Sequence, residues 1–375
     1  MGGRAEKLSS HLREYLLLYI ILVILLAIPI GYKSATILET HKQQMKNVIL
    51  TLAILTLFPS MIQLRSEQFG SELASKKLET LIALIIIFIA GPVAAILLAG
   101  LLPSKPVSIG FVAANSVPAS SASIAYVLLA EGNIEFATLL AIISILGALV
   151  TVPGYIAFYA KSISVTVPID LLGKSVGLAL LTPFILGQIT RYYLVKRRAR
   201  KLLGDDNVKL PCKKTHIEKA SLEEALAHLE EAQECIEGRI GKAIKPYLSI
   251  WTILAMLLLI GTLIAVKAGL LIKKPFLAAE ILGFQGIIYA VIIVSLIIAT
   301  KLLKLSYEDH SAMAFIALTK NESVAAAVSV MAIGATAALP AALIPSIQPI
   351  VAVIYLAALP ALRNALKMKR TGRGS

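Results

Sequence analysis

The sequence predicts an all-α polytopic membrane protein of ten transmembrane helices, arranged as two inverted five-helix repeats. Three observations carry that expectation. Hydrophobic residues make up 58% of the 375, charged residues only 15%, and the mean hydropathy is +0.83, more apolar surface than a soluble domain of this length can hide. Apolar runs of about 17 to 25 residues, the length that crosses a bilayer, recur along the chain. One long polar segment interrupts them, the even number of spans reads as two halves of five, and an odd number of spans forces two repeats into opposite orientations.

In chain order the runs lie near 14–32, 47–64, 79–102, 109–130, 135–160, 169–195, 246–267, 276–303, 310–334 and 344–363. The corresponding division is a first repeat over 1–165, helix 6 over 166–195, a basic loop over 196–245, and helices 7–10 over 246–375. Most of the 36 Lys and Arg residues then fall on one side, with both termini and the 196–245 loop. The positive-inside rule makes that side cytoplasmic, in a multi-pass protein of the cell membrane. The net charge of +14 follows from these topogenic loops, because the basic residues flank hydrophobic spans instead of forming one soluble face, and nucleic acid is not expected as a partner. Met1 to Glu14 is charged and the run after it is long enough to span, so no cleavable signal is expected.

Within 196–245, Lys196-Arg-Arg-Ala-Arg-Lys201 is a basic run beside a span, suited to anionic lipid headgroups. Ser221-Leu-Glu-Glu224 is a capping-box pattern, and Leu222, Leu226, Leu229, Ile236 and Ile240 follow at near-helical spacing, which predicts an amphipathic helix. The two cysteines, Cys212 and Cys235, fall in the same segment, where a reducing compartment disfavours a disulfide. With His216 and His228 they are zinc-ligand types, but their spacing matches no common finger. No metal or cofactor is expected, and no GxxxxGK[ST] motif for ATP occurs.

Two spans carry polar knots where hydrocarbon tolerates none unless protein or a water-filled cavity satisfies the backbone. They are Asn115-Ser-Val-Pro118-Ala-Ser-Ser-Ala-Ser123 and Thr319-Lys-Asn-Glu-Ser323. Each sits in the fourth span of its half, the placement that marks a transporter's binding site. Asn115, Ser116, Ser120, Ser121, Ser123, Asn321 and Ser323 are the candidate substrate-binding residues. A helix broken near Pro118 would turn backbone N–H groups toward an anion; close helix packing by small residues is the alternative use of the serines. Lys320 and Glu322 are ionisable groups at membrane depth and candidates for coupling. Burial opposes the charge of Lys320 and a neighbouring carboxylate supports it, so it either changes protonation during transport or props up the break beside Glu322 or Glu280. Asp170 and His310 fall at span edges, where water is expected to reach them.

These features together resemble the bile acid:sodium symporter superfamily, and within it the arsenite permease branch. The resemblance rests on Leu129-Ala-Glu-Gly-Asn-Ile-Glu-Phe-Ala137, Leu305-Ser-Tyr-Glu-Asp309, the Asn321 knot and Ile347-Gln-Pro349, in that order. It implies a panel of spans 1, 2, 6 and 7 facing a core of spans 3–5 and 8–10, with helices 4 and 9 broken and crossing. Where the family's sodium-coupled members place oxygen ligands, this chain reads Ser123, Ile124, Ala137, Ala141, Ile316 and Lys320, with Ile87 in span three. Sodium coupling through that set is disfavoured, and an ammonium stands where a sodium ion would sit. The arsenite branch's span-four cysteine corresponds to Ala119, which removes the soft ligand for As(III).

The function expected is secondary transport of a small organic or inorganic anion by alternating access, without sodium and with protons as candidate coupling ions. Sodium-coupled bile-acid-like transport or arsenite transport is the alternative within the class. A membrane sensor or scaffold that keeps a transporter fold is the alternative outside it. An enzyme is not expected, because no cluster of carboxylates or histidines marks a membrane face. The lipid bilayer is the other expected partner, and the oligomeric state is open.

Overall fold

The computed structural model describes residues 2–63, 73, 75–120, 122–196, 244 and 246–370. Ser121 and the basic run, amphipathic stretch and Cys/His set between 197 and 243 lie outside them. The described residues are helical with no strand. A leading helix α1 (Gly2–Glu14) is followed by α2 (Leu16–Lys33), a short α3 (Ala35–Thr40) and α4 (Lys42–Gln63). Next come α5 (Lys77–Ala99), α6 (Lys105–Ser116), α7 (Ala122–Leu129), α8 (Ile134–Ser162) and α9 (Ile169–Leu194). The rest of the chain forms α10 (Pro246–Val266), α11 (Ala268–Lys273), α12 (Phe276–Leu303), α13 (Tyr307–Leu318), α14 (Glu322–Ala332) and α15 (Leu339–Leu366).

Among the described residues seven helices, α2, α5, α8, α9, α10, α12 and α15, are long and apolar enough to cross a membrane. The other three expected runs take different forms. The run at 47–64 lies in α4, whose first turns are polar, and the runs at 109–130 and 310–334 are interrupted into α6–α7 and α13–α14. Side chains such as Leu97 (73% exposed), Val150 (75%) and Leu302 (74%) point away from the protein on three separate helices. Together with the apolar length of these helices, such outward apolar side chains fit a surface that faces lipid.

Local chemistry accounts for the breaks. In α5 a π turn over Ile86–Ala90 runs into Gly91-Pro92, and a π turn shifts the hydrogen-bond register by one residue. Val117 precedes Pro118 and is extended (φ −69°, ψ 160°), ending α6 as the pre-proline clash requires. Thr319 is extended after α13 (φ −110°, ψ 112°).

Helix contacts sort into two groups. In one, α4 packs on α9, and α2 on α11 and α10. Gln188 Nε2 donates to Met61 O (2.8 Å) and Trp251 Nε1 to Leu55 O (3.0 Å), tying α9 and α10 to α4. A Cβ on Gly31 would stand 2.2 Å from Ala265 O, so α2 and α10 touch backbone to backbone. In the other group, α6 is enclosed by α5, α8, α14 and the start of α15, while α13 is enclosed by α7, α8, α12 and α15. The groups meet chiefly where α14 lies on α4 and α9.

Candidate functional site

The two interrupted helices cross at their breaks. Ser120 N donates to Thr319 O and Asn321 N to Pro118 O, both at 2.9 Å, a two-bond antiparallel bridge centred on Ala119 and Lys320. The bridge residues' own N–H groups face outward, and each meets a side chain from the long helix after its break. Ala119 N donates to Ser144 Oγ of α8 (3.2 Å), and Lys320 N to Gln348 Oε1 of α15 (2.9 Å). Ser123 Oγ and Thr319 Oγ1 share a hydrogen bond across the crossing. The N–H groups of Ala119, Ser120, Lys320 and Asn321 are satisfied in this way, as a low-dielectric setting demands.

Lys320 is 4% exposed, and its ammonium donates to Ile87 O at 3.1 Å. That carbonyl is available because the π turn moves the register and Pro92 brings no N–H. The next one, Phe88 O, takes the Tyr155 hydroxyl at 2.6 Å. Lys320 therefore leans on α5, and no ion pair to Glu322 forms.

Glu322 opens α14 with 7% exposure, and its Oε2 is buried without a hydrogen-bond partner. It lies within electrostatic range of Lys320 and of Tyr289, whose hydroxyl is also buried. One turn before Tyr289, Gln285 exchanges two hydrogen bonds with Asn115, Nδ2 to Oε1 at 3.0 Å and Nε2 to Oδ1 at 3.1 Å. Asn321 caps α14 without a side-chain bond to its first N–H groups. The positive end of that helix thus faces the crossing.

Of the residues singled out by sequence, Asn115, Ser116, Ser123, Lys320, Asn321, Glu322 and Ser323 come together here, all buried, with Ser120 half-buried at the rim. Ser121 falls outside the described residues. Asn115, Ser116 and Ser123 spend their polar atoms inside the protein: Asn115 on Gln285 and Phe111 O, Ser116 on Val112 O (2.7 Å), Ser123 on Thr319 and Ser120 O (2.5 Å). Lys320, Glu322, Asn321 and Ser323 form the more available part. Gln285, Tyr289, Ser144 and Gln348 complete the site. A polar residue inside an apolar run was the only sequence signal for them, and it does not give facing.

Two other sequence features take structural positions. His310 is fully buried instead of meeting water at a span edge: Nδ1 contacts Thr300 Oγ1 (2.5 Å) and Nε2 contacts the Tyr355 hydroxyl (2.8 Å). Thr300 gives its only proton to Leu296 O (2.8 Å), so it accepts from Nδ1–H and Tyr355 donates to Nε2. The two family-like motifs meet at one end of the molecule. Leu129-Ala-Glu-Gly-Asn is a helix stop and start, with Glu131 left-handed (φ 52°), Gly132 N bonded to Val127 O (2.8 Å) and Asn133 capping α8. Asn133 Nδ2 reaches Asp309 Oδ1 at 2.9 Å, and Lys76 pairs with the same oxygen. Beyond it, Arg370 pairs with Glu131, which holds the exposed guanidinium above its ordinary range.

At the opposite end, two adjoining clefts of about 280 Å³ share Pro103 and are lined by Lys273, Lys274 and Glu280, and by Lys105, Ser108 and Tyr159. Lys105 starts α6 and Asn115 stands in its last turn, which puts these clefts about 15 Å from the crossing.

A fixed ammonium, an unbonded carboxyl and an uncapped helix N-terminus, enclosed together, suit a small anion whose charge is balanced by the protein. Comparison with known families points to a membrane transporter. The model of the Sodium Bile acid symporter family matches residues 49–274. No curated protein matches the chain.

Proposed function

The chain belongs to the sodium bile acid symporter family, a family of membrane transporters, and on that premise we propose that it is a sodium-independent secondary transporter of a small anion. The observation that carries this reading is the placement of Lys320. Its ammonium sits on Ile87 O, so that the residues at two of the positions where sodium-coupled members would offer oxygen ligands are bonded to each other, while Ile124, Ala137, Ala141 and Ile316 at others supply only hydrocarbon. A fixed cation there repels sodium and attracts an anion.

In this reading ten spans form two inverted repeats, and the core group moves against the α2, α4, α9 and α10 panel. Support comes from the matched roles of Ser144 and Gln348, each closing the bridge from the helix after its break. The side that holds Lys76, Lys304 and Arg370 is the cytoplasmic one by the charge rule, with both termini there and the cell membrane as location. An organic anion is favoured over arsenite, since Ala119 offers no thiolate.

Purified protein in liposomes tests the reading. Uptake of a panel containing pyruvate, sulfate, taurocholate and arsenite is measured under an imposed pH gradient, with sodium or with choline as the other cation. Flux of at least one anion without sodium is expected. Flux that requires sodium, or no flux of any member, overturns it.

A further inference from the structure

Resting on that reading, we infer that the transported species is a monovalent anion carried together with one proton, that the proton rides on Glu322, and that Lys320 stays a fixed charge throughout. The argument begins with what each group is already bonded to. Lys320 is committed at both ends, its N–H to Gln348 and its ammonium to Ile87 O. Glu322 is committed to nothing at Oε2 although it is buried. A buried carboxylate oxygen without a partner costs free energy that a proton removes directly. A lysine held by a carbonyl loses that bond's charge assistance if it gives its proton up. Of the two ionisable groups at the crossing, Glu322 is the one free to exchange a proton with water.

The surroundings leave the pair to itself. From α12 the facing groups are Gln285 and Tyr289, and from α6 Asn115 and Ser116, while Glu280 of α12, whose Oε2 is likewise buried without a partner, lines the cleft at Pro103 instead. The buried face of α4 is Ile49, Ala53, Thr56, Leu57 and Met61, with Lys42 and Lys46 in its first turns. In α9, Asp170 and Lys174 are exposed near its start, and Arg191 lies at its far end beside Ile62. The start of α15, Leu339–Leu343, has no ionisable residue, and α5, which carries Ile87, has only Lys77 and Glu79, both in its first turn. Among the described residues the net charge of the crossing is therefore set by Lys320 and Glu322 alone.

Charge balance then fixes the stoichiometry. With Glu322 ionised the empty site is neutral. With Glu322 protonated it carries one positive charge from Lys320, which one monovalent anion cancels. The empty and the loaded site are both neutral, so neither carries an uncompensated charge through the low-dielectric core. One proton enters from water onto the Glu322 carboxylate as the anion enters, and both leave on the other side. A divalent anion would leave one negative charge uncompensated and is selected against. The uncapped N–H groups of Glu322 and Ser323 at the start of α14 supply donors for the anion.

The test uses the full-length protein in liposomes with pyruvate and sulfate as monovalent and divalent probes. Wild type is expected to accumulate pyruvate under an inward proton gradient, with a rate unchanged when a potassium diffusion potential of either sign is imposed, and to discriminate against sulfate at least tenfold. In E322Q, whose amide imitates the protonated acid, gradient-driven accumulation is expected to disappear and thermal stabilisation by pyruvate to lose its dependence on pH. K320Q is expected to lose stabilisation by pyruvate at every pH. A folding-independent check is infrared difference spectroscopy of wild type, in which adding pyruvate at neutral pH should produce a protonated-carboxyl band. Sodium-independent anion flux that follows the membrane potential, survives intact in E322Q, or lacks the carboxyl band overturns this assignment and leaves the transporter reading standing. Absence of any anion flux in wild type overturns both.

Discussion

Placing a methyl group on Gly110 tests whether α6 is held where the crossing needs it. A Cβ at this position would lie 1.7 Å from Ala337 O and 2.6 Å from Ala337 C. These are main-chain atoms just before α15 and cannot swing aside like a side chain. Bringing the oxygen out to a tolerable 3.0 Å requires a relative displacement of at least about 1.3 Å, large for a close-packed interior. Overpacking of this kind costs ~1–3 kcal/mol, while alanine in a helix recovers ~0.5–1 kcal/mol of backbone entropy. Gly110→Ala should therefore destabilise by about 1–2 kcal/mol. Gly283→Ala, in α12 with nothing within 4 Å of the new Cβ, should stabilise by about 0.5 kcal/mol or more. Equilibrium unfolding of both variants in one detergent reads the difference, and anion flux in liposomes reads whether the shift reaches Asn115, five residues on. Equal stabilities for the two variants would refute the close approach of α6 to Ala337.

Replacing Asn115 and Gln285 by leucine, singly and together, should show a coupling of about 1–2 kcal/mol in a double-mutant cycle, because either single change strands a buried amide. Membrane proteins can fall below that range, and an additive pair would show that the reciprocal bonds do not form. Tyr355→Phe should cost roughly 1–3 kcal/mol of stability by leaving His310 Nε2 buried without its donor, and no change in the unfolding midpoint would contradict the proton assignment given to that pair. Lys267, half-buried just past α10, is pulled below its ordinary range by burial and by Lys42, against Glu39. Its folded state then binds a proton less readily than the unfolded chain, so stability should rise with pH between the lowered value and the ordinary lysine range. Lys267→Gln should flatten that rise, measured as melting temperature against pH.

Seven apolar helices long enough to cross a membrane were legible in sequence because lipid demands long apolar runs, and the two breaks because Asn115, Pro118, Lys320 and Glu322 violate that demand. What those residues bond to was not legible. The partner of Lys320 is a main-chain carbonyl, freed by a π turn that hydropathy does not register and by Pro92, which from sequence suggests only a kink. Gln285 reads as a solitary polar residue until α12 is set beside α6, which shows that it faces Asn115. His310 stands near a helix end, yet Thr300 and Tyr355 from two other helices close over it. The Leu129-Ala-Glu-Gly-Asn motif, informative as a family mark, turns out to build a helix reversal, with Gly132 packed against Val127 and Ser311.

The bridge at the crossing is made from N–H and C=O groups alone, and such a bridge does not register which side chains it carries. Ala119 and Lys320 occupy equivalent places in it, one ending in a methyl group and the other in an ammonium. The scaffold can thus be kept while the side chains on its two segments differ, and the chemistry of the site can be rewritten at either position without redrawing the fold. Exchanging the pair, Ala119→Lys with Lys320→Ala, would ask whether the charge belongs to a place in space or to one half of the chain.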